Sequence, residues 1–153
     1  MSDEIKFEKF VKKHWSFTKQ LGGLFLIRCV LHNSEFAVKL LLSYRIDASG
    51  PDMKGNTPLH YAAKKGYVDM IQLLCQWRGN GNAINKKDET PLVISIKKKN
   101  IKCIAMLISW GADLSLKYND KTPHELSSSL GYKTIAEYIE KYTKIYCKIL
   151  SCV

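Results

Sequence analysis

Residues 56–74, NTPLHYAAKKGYVDMIQLL, contain two helical patterns separated by a glycine. Thr57 is a good N-cap residue, and Pro58 fits the first helical position because its missing N–H would have no partner there. Gly66 can adopt the left-handed conformation that ends a helix, and an apolar stripe at helical spacing follows from Val68. Helices this short are marginal alone. The stretch therefore predicts a pair of short helices that are stable only when packed against neighbours.

The same pattern recurs along the chain with a period of about 33 residues. Thr57-Pro58-Leu59 returns as Thr90-Pro91-Leu92, and Thr122-Pro123 follows one position sooner than this period would place it. The apolar positions repeat in register at Leu26/Leu59, Val38/Ile71, Leu41/Leu74, Val68/Ile101, Ile71/Ile104, Leu74/Leu107 and Trp77/Trp110. Glu125 lies three residues after Thr122, which predicts a capping box at that helix start. About four units are present, and linear arrays need roughly three before the stack is stable.

The stretches NTPLHYAAKKGYVDMIQLL and TPHELSSSLGYKTIAEYI resemble the ankyrin repeat signature, the second in the form that often closes a stack. The resemblance implies an all-α solenoid of about four helix-turn-helix repeats with hairpin loops over residues 20–142. The expected units are 20–51, 52–84, 85–116 and 117–142. It also implies a concave binding face, no catalysis, and a structural His60 that bonds within and between units. Val93 and Glu125 replace that histidine in the next two units, so this series of hydrogen bonds is predicted to be incomplete.

Amphipathic segments flank the repeats at both ends. We expect residues 1–19 to form an N-terminal capping helix over the first unit. Its apolar face comprises Phe7, Phe10, Val11, His14 and Trp15. At the other end, an apolar stripe continues past the last repeat through Ile145, Tyr146 and Ile149. Residues 143–153 are therefore a C-terminal helical extension, in which either the last helix runs on or a further segment packs beneath the stack.

The composition is typical of a soluble, strongly basic globular protein. Of 153 residues, 46% are hydrophobic and 25% charged, and 24 lysines and arginines against 14 acidic residues give a formal charge of +10. No window reaches the roughly 18 uninterrupted apolar residues of a membrane span. The five cysteines form no CxxC pair and have no histidine at metal-ligand spacing, which disfavours a zinc site and favours a reducing compartment. We expect a cytoplasmic or nuclear protein without a metal or cofactor.

In an ankyrin stack the exposed variable positions are the hairpin tips and the inner face of each first helix, and the resemblance assigns them residue by residue. They are Met53, Lys54, Asn56, Lys64, Lys65, Lys86, Lys87, Glu89, Lys97, Lys98, Tyr118, Asn119 and Lys121. Seven of the ten in the two central units are lysines, and Glu89 is the only acid among these. We therefore expect a non-catalytic adapter that captures an acidic segment of another protein by complementary charge. The alternative is that these lysines only solvate an exposed surface.

The sequence leaves three other functions to be weighed. The positive charge is compatible with nucleic-acid binding, although arginine is scarce and the lysines are not interleaved with aromatic residues. LLLSYRIDASGPDMKGNTPLHYA is also similar to the ankyrin part of DHHC-type protein S-acyltransferases, where the stack recruits substrates to a membrane-embedded catalytic domain, but no Asp-His-His-Cys stretch is present. Catalysis by Cys103 is disfavoured because it falls on a core-facing position. Trp77 and Trp110 are candidate partner anchors, although packing under the hairpins is the simpler interpretation.

Overall fold

A computed structural model describes residues 3–151 of the chain, except for the side chains of Phe17, Tyr146, Cys147, Ile149, Leu150 and Ser151. Within these residues the chain forms ten α-helices and no β-strand. The helices are α1 (Asp3–Lys13), α2 (Trp15–Gln20), α3 (Gly22–Leu31), α4 (Glu35–Ser43), α5 (Pro58–Lys65), α6 (Val68–Gln76), α7 (Pro91–Lys97), α8 (Ile101–Ser109), α9 (Pro123–Ser129) and α10 (Lys133–Ser151). The predicted all-α class is confirmed.

Helices α3 to α10 form four consecutive pairs that stack along one direction. Within each pair the two helices pack on each other, as α3 does on α4 and α5 on α6. The first helices of the pairs form one row, in which α3 packs on α5, α5 on α7 and α7 on α9. One buried apolar cluster runs through the stack from Val11 in α1 to Ile139 in α10. The predicted solenoid of helix-turn-helix units is confirmed.

The first helices of the last three units begin at the Thr-Pro pairs, as predicted. Thr90 Oγ1 accepts the N–H of Val93 at 3.2 Å. Thr122 Oγ1 accepts the N–H of Glu125 at 3.3 Å, and Glu125 Oε2 accepts the N–H of Thr122 at 2.8 Å, so the predicted capping box is present. These bonds satisfy N–H groups that the first turn of a helix otherwise leaves without partners.

Residues in the left-handed conformation end the helices at regular intervals. Gly66, with φ of 80°, ends α5 as predicted. The second helices end in the same way at Arg45 (φ 60°), Arg78 (φ 61°) and Gly111 (φ 82°), each one repeat period after the last. A residue with a Cβ is strained at these angles, whereas glycine is not. The two arginines therefore hold backbone strain that Gly111 avoids.

Replacing Arg78 with glycine is expected to raise the free energy of unfolding by about 0.5–1 kcal/mol, because the strain relieved exceeds the entropy that glycine adds to the unfolded chain. Arg78 is exposed and forms no ion pair within the described part of the chain, so little else is lost. Urea denaturation followed by circular dichroism measures the change. The control is Arg28→Gly inside α3, which is expected to destabilise by about 1 kcal/mol. Equal effects at the two positions would contradict the strain argument.

The N-terminal segment differs from the predicted single capping helix. It is divided at His14 into α1 and α2, although the His14 N–H still donates to the Phe10 carbonyl oxygen at 3.0 Å. α1 packs on α4, and Trp15 lies against Tyr44 with 5.0 Å between ring centroids. Val11 is buried as predicted, but Phe10 and His14 are exposed and lie against each other. The prediction was wrong at these two positions, because the buried face of the segment carries Val11, with Phe7 and Trp15 packed against the core, and leaves Phe10 and His14 exposed.

Up to Ser151, the structure of the C-terminal segment distinguishes between the two arrangements considered for the extension. α10 is a single helix of 19 residues, so the last helix runs on. Ile145 is 41% exposed, which shows that the predicted stripe leaves the core at this point. The side chains of Tyr146 and Ile149 and the whole of Cys152 lie outside the described residues. In the described part of the chain, no helix has the length and apolar composition that a membrane span requires.

Candidate functional site

The hairpins between units lie edge to edge along one side of the stack. Asp52 Oδ1 accepts the N–H groups two and four residues later at 2.8 and 2.9 Å. Asn85, at the same position of the next unit, does the same at 2.8 and 3.0 Å. The Lys86 N–H donates to the Lys54 carbonyl oxygen at 3.0 Å and joins the two hairpins. Both tips are therefore held in one conformation and at one spacing.

His60 connects its own helix start to the following hairpin. The Thr57 N–H donates to His60 Nδ1 at 3.0 Å, so the neutral ring carries its proton on Nε2. Nε2 lies 3.0 Å from the Glu89 carbonyl oxygen and donates to it. Burial lowers the pKa of His60 and favours the neutral form that makes both bonds. The predicted structural role of His60 within and between units is confirmed.

A groove of about 750 Å³ opens between these hairpins and the C-terminal ends of α5 and α7. We name it the central groove, and its lining residues are Met53, Lys54, Asn56, His60, Tyr61, Lys64, Asn85, Lys86, Lys87, Glu89, Ile94, Lys97 and Lys98. Tyr61 is half-buried and Ile94 is buried, and the Tyr61 hydroxyl donates to Asp52 Oδ2 at 2.6 Å. The groove is thus a concave surface with a partly apolar floor beneath a basic rim.

Six lysines line the central groove, and one of them is fixed by partners. Lys97 Nζ lies 2.6 Å from Glu89 Oε1 and 3.1 Å from the Tyr118 hydroxyl. The hydrogen bond to Glu89 raises the pKa of Lys97. Burial raises the pKa of Glu89, but hydrogen bonds from Lys97 and Asn85 outweigh it and leave the pKa lowered. The other five lysines form no ion pair with any described residue.

The sequence of the repeats matches a known family. A family model described as ankyrin repeats (3 copies) matches residues 7–88 and, in an overlapping second match, residues 26–122. The chain belongs to the ankyrin repeat family. Ankyrin repeats generally bind other proteins, and the family is typically non-catalytic. A search of curated proteins finds no relative that matches this sequence.

The ankyrin stack brings nine of the thirteen predicted contact residues together in the central groove. These are Met53, Lys54, Asn56, Lys64, Lys86, Lys87, Glu89, Lys97 and Lys98. Lys65 is exposed but does not line the groove, although Lys98, one repeat period later, does. Tyr118 lies beside the groove and contacts Lys97. Asn119 and Lys121 are exposed in the third hairpin, beyond the two hairpins that form the groove.

Four lining residues of the groove were outside the prediction, namely His60, Tyr61, Asn85 and Ile94. Tyr61 and Ile94 could have been found from the sequence. Each lies three residues before a groove lysine, and residues three apart on a helix share a face. Asn85 occupies the repeat position of Asp52. This position indicates that Asn85 holds the hairpin turn through its hydrogen bonds and does not primarily bind a partner.

The remaining candidates in these ankyrin repeats divide into structural and exposed groups. Cys103 is fully buried, and burial raises the pKa of its thiol to about 11, so the predicted core position is confirmed and the thiolate is disfavoured. Among the described side chains, no three His, Cys, Asp or Glu are placed to hold a metal ion.

Trp77 and Trp110, after α6 and α8, are 44% and 45% exposed, so packing covers only part of each indole. Their role as partner anchors stays a prediction.

Proposed function

We propose that this ankyrin stack is a non-catalytic adapter of the cytoplasm or nucleus, and that it holds an acidic segment of another protein in the central groove. The observation that carries the proposal is a set of groove lysines that form no ion pair with a described carboxylate. They are Lys54, Lys64, Lys86, Lys87 and Lys98. Unpaired charges of one sign on a concave surface attract a polyanion from a distance and increase its association rate.

The shape of the central groove adds to this attraction. Its rim is fixed in advance by the hairpin anchors Asp52 and Asn85, so little backbone ordering is needed when a partner binds. Met53, which is 89% exposed, and the exposed part of the Tyr61 ring offer apolar surface beside the lysines. The ligand that fits best is therefore an extended acidic segment with apolar side chains between its carboxylates.

Nucleic acid fits the same groove less well. No arginine is among the described lining residues, and arginine is the side chain that reads base edges bidentately. Tyr61 is the single Phe, Tyr or Trp among the described lining residues, so successive bases would find no row of aromatic rings on which to stack. The groove therefore favours an acidic protein segment.

Charge reversal of Lys64, Lys87 and Lys98 to glutamate is expected to weaken binding of an acidic peptide at least about tenfold, because the groove would then repel it. The probe is a fluorescein-labelled synthetic peptide of alternating glutamate and leucine, about twelve residues long. Fluorescence anisotropy against the full chain measures the affinity. Binding by the unmodified protein is expected to weaken as salt is added.

The matched control reverses Lys13, Lys102 and Lys133, which are exposed outside the central groove. Both triple variants change the net charge by the same amount, so the control is expected to alter the affinity by less than about threefold. Equal losses in the two variants would show that net charge alone attracts the peptide and would contradict the proposal. A single-stranded RNA of equal charge that displaces the peptide at lower concentration would also contradict it.

A further inference from the structure

The turns that follow the second helices form a hydrogen-bonded series across the units. Asp47, Asn80 and Asp113, spaced by one repeat period, each accept the N–H two positions later, at 2.8, 2.9 and 2.8 Å. Each turn is also tied to the next one. The Asn80 N–H donates to Ser49 Oγ at 2.8 Å, and the Asp113 N–H donates to Asn82 Oδ1 at 2.8 Å. The first two turns of this series are thus each covered by the turn that follows.

The last turn, at residues 113–115, is not covered in this way. Where the period places the next turn, around residue 146, α10 continues as a helix. Ser115 stands at the position of Ser49 and Asn82, but within the described part of the chain it accepts no backbone N–H from a following turn. A groove of about 780 Å³ remains between residues 111–115, the start of α9 and the side of α10 at Glu140 and Thr143. We name it the end groove.

The end groove is apolar at its base and acidic at its rim. Ala112 is buried and Leu114 half-buried at the base. Asp113, Glu125 and Glu140 line the rim, and no lysine is among the described lining residues. Hydrogen bonds from neighbouring groups hold the pKa of each of these carboxyls below its usual value, so all three are ionised at neutral pH. Glu140 also pairs with Lys144 at 2.6 Å, so Asp113 and Glu125 are the rim carboxylates without an ion pair to a described residue.

We propose that the end groove binds an extended basic segment of a partner protein, with an apolar side chain on Leu114 and lysine or arginine side chains at the carboxylate rim. The backbone of the segment takes the place of the missing turn and donates an N–H to Ser115, as Asp113 donates to Asn82. The charges of the rim and of the whole chain determine which kind of segment binds in the end groove. The carboxylates repel an acidic segment, and the net charge of +10 disfavours attachment of a basic segment elsewhere on the chain.

This site is separate from the central groove. Its lining residues differ from those of the central groove at every position, and they include three carboxylates and no lysine where the central groove has six lysines. One stack can therefore hold an acidic and a basic partner together. The proposed adapter therefore has a second binding site, and binding there does not depend on binding in the central groove.

Asp113→Asn combined with Glu140→Gln is expected to weaken binding of a basic peptide at least about tenfold. The probe is a labelled synthetic peptide of alternating leucine and arginine, about twelve residues long, titrated into the full chain. The asparagine removes charge but keeps the turn, because its amide oxygen accepts the same backbone N–H, as Asn80 does. Saturable binding by the unmodified protein, with NMR amide shifts at residues 111–115, is the expected result.

The matched control is Asp47→Asn combined with Glu35→Gln. Asp47 forms the same turn as Asp113, and Glu35 pairs with Lys39 as Glu140 pairs with Lys144. The control is expected to leave the affinity unchanged. Absence of saturable binding, an equal loss in the control, or amide shifts confined to other parts of the stack would overturn the proposal. The glutamate-leucine peptide keeps its affinity in the Asp113/Glu140 variant, so failure at one groove is distinguishable from failure at the other.

Discussion

Replacing Leu74 with alanine is expected to lower the free energy of unfolding by about 2–5 kcal/mol, the range for leucine truncations in well-packed cores. Leu74 lies in α6 with none of its surface exposed. The substitution loses transfer free energy and leaves a cavity that the surrounding helices fill only in part. Because α6 belongs to a central unit, the loss weakens packing on both neighbouring units. Urea denaturation followed by far-UV circular dichroism measures the change.

The matched control for this prediction is Leu24→Ala. Leu24 lies in α3 with 45% of its surface exposed, so the same methyl groups are removed where water already contacts them. We expect a loss of less than about 1 kcal/mol there. If Leu74→Ala costs no more than the control, the continuous core described for the stack is incorrect.

Replacing His60 with alanine is expected to lower the free energy of unfolding by about 2–4 kcal/mol. The change leaves the buried Thr57 N–H without its partner, and a buried polar group left unpaired costs about 1–3 kcal/mol. It also removes one of the two hydrogen bonds that the Glu89 carbonyl oxygen accepts, the other coming from the Asn85 N–H at 3.0 Å. The lost ring also leaves a cavity, since His60 is buried. Chemical denaturation at neutral pH measures the loss. His32→Ala, at an exposed histidine after α3, is the control and is expected to cost less than about 0.5 kcal/mol.

The His60 variant also predicts a change in the pH dependence of stability. Burial lowers the pKa of His60 below its usual 6.5, so the unfolded chain takes up a proton more readily than the folded one. The stabilisation from neutral His60 is therefore complete above pH 6.5 and is lost as the pH falls through the lowered folded-state pKa. Compared between pH 7.5 and acidic pH, the His60→Ala protein is expected to lose less stability than the unmodified protein or His32→Ala. Parallel losses in all three would refute the assignment.

The sequence predicts the register of the stack because its determinants are local. Thr90 and Thr122 are capping residues whose role depends on their immediate neighbours, and Gly66 ends its helix through its own backbone freedom. The positions of Leu74 and Cys103 in the core follow from helical spacing alone. The boundaries between units remain predictions.

Features that depend on distant partners could not be predicted. In the sequence, nothing distinguishes Lys97 from the other groove lysines. In the structure its ammonium group contacts Glu89 in one hairpin and Tyr118 in the next. Helical periodicity placed His14 on an apolar face, but the segment packs against the core through Val11, Phe7 and Trp15 and leaves His14 exposed. The end groove exists because α10 continues as a helix where the repeat period would place the next turn. The sequence alone did not distinguish a continued last helix from a further segment packed beneath the stack.

The hydrogen bonds that join neighbouring units have a consequence for how the chain assembles. They connect residues less than one repeat period apart, as from Lys86 to Lys54 or from Asn80 to Ser49. Bonds of such short sequence separation close only small loops, which favours fast folding. As the nascent chain leaves the ribosome, each helix pair can dock on the pair before it without waiting for the C-terminus. Translation itself can therefore set the order of folding, from the first unit to the last.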